Sequence, residues 1–264
     1  MLPDTDFTLI LIVRMAITAG FVLAATITAE RAGPLIGGLV ATLPLGAGPV
    51  YVFLALDHGA TFIGHSAVNS LAINSVNVIF ALTYARLAQM RSVGVSIGVG
   101  LVVWVVLALV VHAIPWTLLT GVLLNIVVQT VCIVLARPLR HVVIPRPETR
   151  WSDYALRATL VALLVGTTVT ASFHIGPEGS GILAVFPIIL ISVQFILHRR
   201  VGGRPSAAVM ANAVTGLVGF ALACVVLHVT AEPFGSVIGL SLALATSIGW
   251  GLFVFGLRKR GIDL

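Results

Sequence analysis

The sequence predicts an all-α polytopic membrane protein with about nine transmembrane helices, arranged as two inverted four-helix repeats joined by one linker helix. Three observations lead to this fold class: only 9% of the 264 residues are charged, 59% are hydrophobic, and the mean hydropathy is +1.13. A soluble domain carries about a quarter charged residues, so this chain lacks the charge needed to cover a water-exposed surface. Nucleic-acid-binding modules, disulfide scaffolds and soluble enzymes are therefore excluded.

Nine stretches are apolar over the roughly 20 residues that a membrane-crossing helix needs, and Gly, Pro or charged residues separate them. We place the spans at about 8–30, 35–56, 62–86, 93–113, 116–136, 154–174, 179–197, 206–229 and 235–257. The first span is expected to be retained, because its leader carries Asp4 and Asp6 where a cleaved signal peptide is basic.

The basic residues predict that the N-terminus lies outside and the C-terminus in the cytoplasm. Short cytoplasmic loops are rich in Arg and Lys, and this orientation leaves only Arg14 of the 15 basic residues toward the exterior. An even number of spans would put the cluster at 258–260 outside. The net charge of +6 thus reports orientation in an inner cell membrane and not a nucleic-acid partner. Lys259 is the single lysine, a bias typical of GC-rich bacterial genes.

A gapless shift of 143 residues superposes scarce residues of the two halves. The matched pairs are Arg14 and Arg157, Gly33-Pro34 and Gly176-Pro177, Gly38 and Gly181, Pro44 and Pro187, Gly59 and Gly202, and Asn69 and Asn212. This register divides the chain into a first repeat at 1–114, a linker helix with a basic loop at 115–152, and a second repeat at 153–264. One unpaired span between the repeats inverts the second, as in secondary transporters with midplane sites. Duplication of a packing unit for stability alone is the alternative.

One stretch of the second half resembles a known family. The motif Gly181-Ile-Leu-Ala-Val-Phe186-Pro187, the Arg199-Arg200 turn, Gly202-Gly203 and Arg157 at the start of span six are similar to the GlpM-like family of small four-span membrane proteins. The resemblance covers 156–257 well and 13–114 less well. It implies a fused, inverted pair of a four-span unit, and it assigns neither an activity nor a ligand.

The two matched prolines mark candidate helix breaks. Proline removes an amide donor and clashes with the carbonyl four residues earlier, so Pro44 and Pro187 free the carbonyls of Val40 and Leu183. In the hydrocarbon those carbonyls need protein, water or ligand as partners. Both prolines lie about 12 to 14 Å into their spans, close to the bilayer midplane. We expect broken helices there, and a plain kink is the alternative.

Span three carries a polar face. Ser66, Asn69, Ser70 and Asn77 gather on one side of the helix, with Asn74 near its edge. Polar side chains in a bilayer bond across helices or line a pathway, and both interpretations stay open. We expect Asn69 and Asn212 to face the interior between the repeats, within reach of the freed carbonyls.

Further candidates lie in spans one and five. Arg14 is inside span one, where it either extends toward the interface or binds an anion. Asn125 and Gln129, four residues apart, share one face of span five and either line the repeat interface or tie helices together. The candidate substrate-binding residues are therefore Asn69, Asn212, Pro44, Pro187, Ser66, Ser70, Asn77, Arg14, Asn125 and Gln129.

Other chemistry is not predicted. No histidine pair has metal-ligand spacing, Cys132 and Cys224 lie in apolar stretches, and catalytic motifs are missing. We expect no cofactor, no metal and no enzymatic activity. The small-residue pairs Gly94/Gly98 and Gly235/Gly239 favour close helix packing, within the chain or between subunits of a homo-oligomer.

Two functions remain for such a protein. The first is a transporter of a small solute or lipid headgroup with a midplane site between inverted repeats. The second is a non-transporting assembly or accessory protein whose polar residues only join helices. A water-accessible, polar cavity that reaches the prolines would favour the first, and solid packing there would favour the second.

Overall fold

The computed structural model of this protein describes residues 5–31, 44–140, 142 and 150–260. Over these residues the chain is all-helical, with no strand. The helices are α1 Thr5–Arg31, α2 Ala47–His58, α3 Ala60–Leu87, α4 Val93–His112, α5 Leu118–Ala136, α6 Trp151–Ala184, α7 Ile188–Val201, α8 Gly203–Phe234 and α9 Ser236–Lys259, with a 3-10 turn at Arg137–Leu139. The predicted all-α class is confirmed, and seven described stretches are long and apolar enough to cross a membrane, in agreement with the predicted membrane protein.

Predicted spans one, three, four, five, eight and nine coincide with α1, α3, α4, α5, α8 and α9. The remaining three do not each coincide with one helix. Span two is described only from Pro44 onward, so Gly33-Pro34, Gly38 and Val40 lie outside the described residues. Spans six and seven are separated where the sequence predicts, because the backbone within the bounds of α6 is non-helical at Gly176, with φ 65° and ψ −172°, and two helical segments meet there. Pro177 follows that kink in the first turn of the new segment, where its missing N–H costs nothing.

Local sequence explains where the helices begin and end. The α2 and α7 helices each end at a glycine with positive φ, Gly59 at 83° and Gly202 at 90°, and the next helix starts at the following residue. The Thr117 hydroxyl caps α5 by accepting the N–H of Thr120 at 3.3 Å. The Arg150 N–H donates to the Asp153 carboxylate at 2.9 Å and starts α6.

The long helices α3 and α8 form the centre of the bundle and run in opposite directions. Three hydrogen bonds between them fix this direction, because the residue number rises along α3 while it falls along α8. They are Gly64 O with His228 Nδ1 at 2.8 Å, Asn74 Nδ2 to Leu217 O at 3.1 Å, and Tyr84 OH with Ser206 Oγ at 2.8 Å. Most residues of α3 are buried, including Ser66, Ser70, Asn74 and Asn77, so most of its polar face lies inside the protein.

The helices α1 and α6 form a second antiparallel pair beside the central one. Phe7 meets Phe173 edge to face with 6.1 Å between ring centroids, and the Met15 side chain packs on Gly166. The outer helices α1, α4, α5 and α9 expose rows of large apolar side chains. Such a surface is suited to lipid and not to water.

Candidate functional site

The predicted break at Pro187 is confirmed. The α6 helix ends at Ala184, and α7 begins at Ile188 after a short non-helical segment. The carbonyl of Leu183, which proline deprives of its helical partner, accepts the N–H of Phe186 at 3.0 Å. The backbone of the break therefore satisfies this carbonyl itself, without help from an Asn side chain.

A buried asparagine of α3 does bond to the break, one residue beyond the end of α6. Asn77 donates through Nδ2 to the carbonyl of Val185 at 2.8 Å, and its Oδ1 accepts the indole N–H of Trp104 at 2.6 Å. Asn77 thus joins the broken helix to α3 and α4 with both ends of its amide in use. An unpaired carbonyl at this position would cost about 1–3 kcal/mol.

The first half of the broken helix lies in unusually close contact with α3. Ser70 donates through Oγ to the carbonyl of Gly181 at 2.6 Å and receives the Tyr51 hydroxyl at 2.7 Å. A Cβ on Gly181 would lie 3.0 Å from the carbonyl carbon of Ser66 and 3.1 Å from the Cβ of Asn69. Only glycine permits this approach, so Gly181 is part of the contact that holds the break. The Ser66 hydroxyl donates within its own helix, to Phe62 O at 2.9 Å.

The matched asparagines make different contacts from those expected. Among the described residues, the Asn69 amide bonds only to His65 O of its own helix, at 3.5 Å. Asn212 donates to Ala208 O at 2.8 Å and accepts from Arg258 at 2.8 Å, near the end of α9. Neither bonds to a carbonyl of the Pro187 break, because Ser70 and Asn77 of α3 already hold that segment.

The linker helix α5 is attached to α3 through its own asparagine. Asn125 donates to Leu71 O at 2.6 Å and accepts from Asn74 Nδ2 at 2.9 Å. One turn later Gln129 is buried, and within the described part of the chain neither of its amide atoms has a hydrogen-bond partner. Asn125 therefore ties helices together, as one of the two alternatives had it.

A cavity of about 630 Å³ lies where the two halves of the chain meet. Its walls are α1 and α2 from the first half and α8 and α9 from the second, represented by Phe21, Pro44, Cys224 and Leu240. Pro44 stands at the start of α2, so the cavity reaches the first of the two candidate breaks. Its walls are almost entirely apolar, although the sequence led us to expect polar ones.

Arg14 forms an ion pair that the sequence analysis missed. Its guanidinium contacts both carboxylate oxygens of Asp57, at 2.5 and 2.7 Å, and lies 5.4 Å from the centre of the Phe53 ring. Asp57 is in the last turn of α2, and Phe53 lines the cavity. Arg14 is therefore neutralised by a partner inside the protein, one turn from the cavity wall.

A second ion pair occupies the corresponding place in the other half. Arg200 in the last turn of α7 contacts Asp153 in the first turn of α6 at 2.6 Å. A shift of 143 residues carries Asp57 onto Arg200, and it carries Arg14 to a position one turn after Asp153. Each half thus joins its first long helix to its short helix by one ion pair, with the charges exchanged. The shift of 143 residues already superposes Asp57 on Arg200 in the sequence, so it could have indicated that the two residues hold equivalent positions.

Small-residue packing is split between the two glycine pairs. A Cβ on Gly94 or Gly98 would have no neighbour within 4 Å, whereas one on Gly239 would lie 2.8 Å from the Cα of Ala231. Gly239 therefore serves packing of α9 on α8 within the chain.

Cys132 and Cys224 are both buried and free. Among the described residues no three His, Cys, Asp or Glu side chains gather as a metal site would require.

Comparison with known proteins adds no assignment. No family model, no curated protein and no solved structure matches this chain.

Proposed function

We propose that this protein is an inner-membrane transporter with nine spans, built from two inverted four-helix repeats whose substrate site lies between them at the helix breaks. The observation that carries the proposal is the cavity, because α1 and α2 of one half and α8 and α9 of the other enclose it and it reaches Pro44. Transport proteins of this architecture bind their substrates at the interface of the repeats, beside discontinuous helices.

The packing of equivalent helices supports inversion. An axis in the membrane plane requires that equivalent helices pack antiparallel and that the residue at the crossing point meets its own counterpart. The helices α3 and α8 run in opposite directions, and Asn74 bonds to Leu217, which is 143 residues further along the chain. The helices α1 and α6 also pack antiparallel, and their ranges correspond under the shift of 143 residues. Repeats related by an axis along the membrane normal would pack parallel.

The chemistry of the cavity favours an amphipathic substrate over a hydrophilic one. In the cavity wall, the Thr18 hydroxyl donates to Arg14 O at 2.9 Å. The Tyr51 hydroxyl donates to Ser70 Oγ at 2.7 Å. A sugar or an amino acid would lose more hydrogen bonds to water than the hydroxyl of Ser241, the remaining one in the described walls, could replace. A molecule with a long apolar part would lose nothing. Of the two substrate classes expected, lipid therefore suits this cavity better than a small solute.

Reconstitution tests the proposal directly. The purified protein in phosphatidylcholine vesicles should let a phosphatidylcholine that carries a fluorophore on one acyl chain reach the outer leaflet, where dithionite bleaches it. Ala243→Phe narrows the cavity from α9 and should abolish this movement, whereas Leu242→Phe on the exposed side of the same helix should not. Both variants must purify as monodisperse species. Equal rates for protein-containing and empty vesicles, across phospholipids and a panel of small solutes, would contradict a transport function.

An accessory role remains the second candidate, because one observation favours it. Ser70 and Asn77 of α3, for which a pathway and bonding between helices were the two interpretations, are engaged in bonds between helices. A protein of this kind would show no flux in vesicles and would co-purify with a membrane complex under mild detergent.

A further inference from the structure

The cavity has a charged end, and its position indicates how a ligand would lie. Along α1, Arg14 precedes the cavity residue Thr18 by one turn, and along α2, Asp57 follows the cavity residue Phe53 by one turn. The ion pair therefore sits at one end of the cavity, and Pro44 at the other. The distance from Phe53 to Pro44, nine residues of a helical path, is about 14 Å, roughly half of the 30 Å hydrocarbon core.

The side of the cavity opens where a membrane lipid would approach. Ile17 on α1 is 59% exposed, Val52 on α2 is 44% exposed and Val237 on α9 is 79% exposed, although all three line the cavity. An apolar chain could enter sideways between these helices without crossing water. Few polar atoms of the described walls compete for it, since the Thr18 and Tyr51 hydroxyls are already bonded and Ser241 supplies the one other wall hydroxyl.

We propose that the cavity binds one acyl chain of a zwitterionic phospholipid, with the lipid's phosphate at Arg14 and its ammonium group at Asp57. This inference rests on the proposed function, of which it names the substrate class. The two charges complement both groups of such a headgroup, and the Arg14 and Asp57 side chains remain 16% and 13% exposed, so a headgroup can reach them. Guanidinium binds phosphate through paired, charge-assisted hydrogen bonds. The acyl chain then runs from Phe53 toward Pro44, and its end lies near the midplane.

Photocrosslinking of the full-length protein in vesicles measures this orientation. The probes are two phosphatidylcholines that carry a diazirine either near the acyl carboxyl group or at the end of the chain, and mass spectrometry locates the labelled peptides. The first probe should label α2 near Phe53, and the second should label it near Pro44. Labelling spread evenly over the exposed faces of α4 and α5, with no enrichment at α2, would overturn the proposal.

The headgroup preference is tested with paired neutral substitutions. Arg14→Gln with Asp57→Asn should lower labelling of the cavity about tenfold, the effect of losing roughly one charge-assisted interaction. Asp153→Asn with Arg200→Gln removes the second ion pair and should leave the labelling unchanged. That pair lies about 20 Å away, because Met15 packs at Gly166 and Asp153 precedes Gly166 by 13 residues of α6. An effect of equal size in both double variants would show a general loss of structure and would refute the assignment.

Lipid competition gives a second readout. Unlabelled phosphatidylcholine or phosphatidylethanolamine should displace the probe, and phosphatidylglycerol, which lacks the ammonium group, should displace it about tenfold less well. Equal competition by all three would overturn the role of Asp57. Labelling of the cavity without lipid movement would leave the binding site standing and contradict the transporter. Lipid movement without labelling of the cavity would support the transporter and contradict the binding site.

Discussion

Replacing Gly181 by alanine should separate the broken helix from α3. The new Cβ would lie 3.0 Å from the carbonyl carbon of Ser66 and 3.1 Å from the Cβ of Asn69, and closer still to the Ser66 oxygen. Those atoms belong to the backbone and the base of a side chain in a buried helix, so they cannot turn aside. The segment must move outward, and the 2.6 Å bond from Ser70 to the Gly181 carbonyl must lengthen or break.

The magnitude follows from three contributions at Gly181. Overpacking costs about 1–3 kcal/mol, and a buried carbonyl that loses its donor costs about 1–3 kcal/mol more. Alanine returns about 0.5–1 kcal/mol through its better helix propensity. The net loss of folding free energy is about 3 kcal/mol, which corresponds to about a hundredfold lower ratio of folded to unfolded protein.

Gly216→Ala provides the matched control, because a Cβ there has no neighbour within 4 Å and Gly216 also lies inside a helix, α8. That variant should be as stable as the parent or more stable by about 0.5–1 kcal/mol. Unfolding in mixed micelles of increasing SDS content, followed by circular dichroism, compares the two. If Gly181→Ala unfolds at the same SDS content as Gly216→Ala, the close approach of α6 to α3 is not a constraint and the reasoning fails.

Three further outcomes are expected. Asn77→Leu should destabilise the protein by about 1–3 kcal/mol, since the Val185 carbonyl loses its donor, and a shift of tryptophan emission should accompany the loss; an unchanged melting curve would argue against this bond. Thr117→Ala should cost about 1 kcal/mol because it removes the cap of α5, as thermal unfolding monitored by light scattering would reveal. Cysteines introduced at the exposed residues Met90 and Phe234 should react with an impermeant maleimide from the cytoplasmic and the outer side respectively, and reaction from one common side would remove the inverted arrangement.

The helices were predictable because they depend on composition. Runs of apolar residues between glycines, prolines and charges mark the spans whatever their partners, and the polar face of α3 follows from helical period alone. The break at Pro187 was predictable for a similar reason, since the missing N–H is a property of one residue. The turn between spans six and seven was predictable from Gly176-Pro177, and the structure makes this turn in a single residue, Gly176.

The hydrogen bonds of the site could not be predicted, because they depend on depth and rotation to within a few ångströms. Asn69 and Asn77 share a helical face, yet only Asn77 stands level with the end of α6 and bonds to it. The ion pair of Arg14 with Asp57 is equally a product of tertiary structure, since 43 residues separate the partners. Its counterpart at Arg200 shows that charge exchange between halves hides a shared feature from a search for identical residues.

At two corners of this bundle, Gly59 and Gly202, the backbone conformation and not a lack of space requires glycine. A Cβ on Gly59 or Gly202 would meet no atom within 4 Å, but their backbone angles, φ 83° with ψ −171° and φ 90° with ψ 173°, are nearly the mirror image of ordinary extended chain. Every L-residue is strained there, whatever its size. A D-alanine introduced by chemical ligation would fit both corners without strain, and it would stabilise the protein by restricting the unfolded chain. The corners that join each short helix to the next long one are thus fixed by chirality.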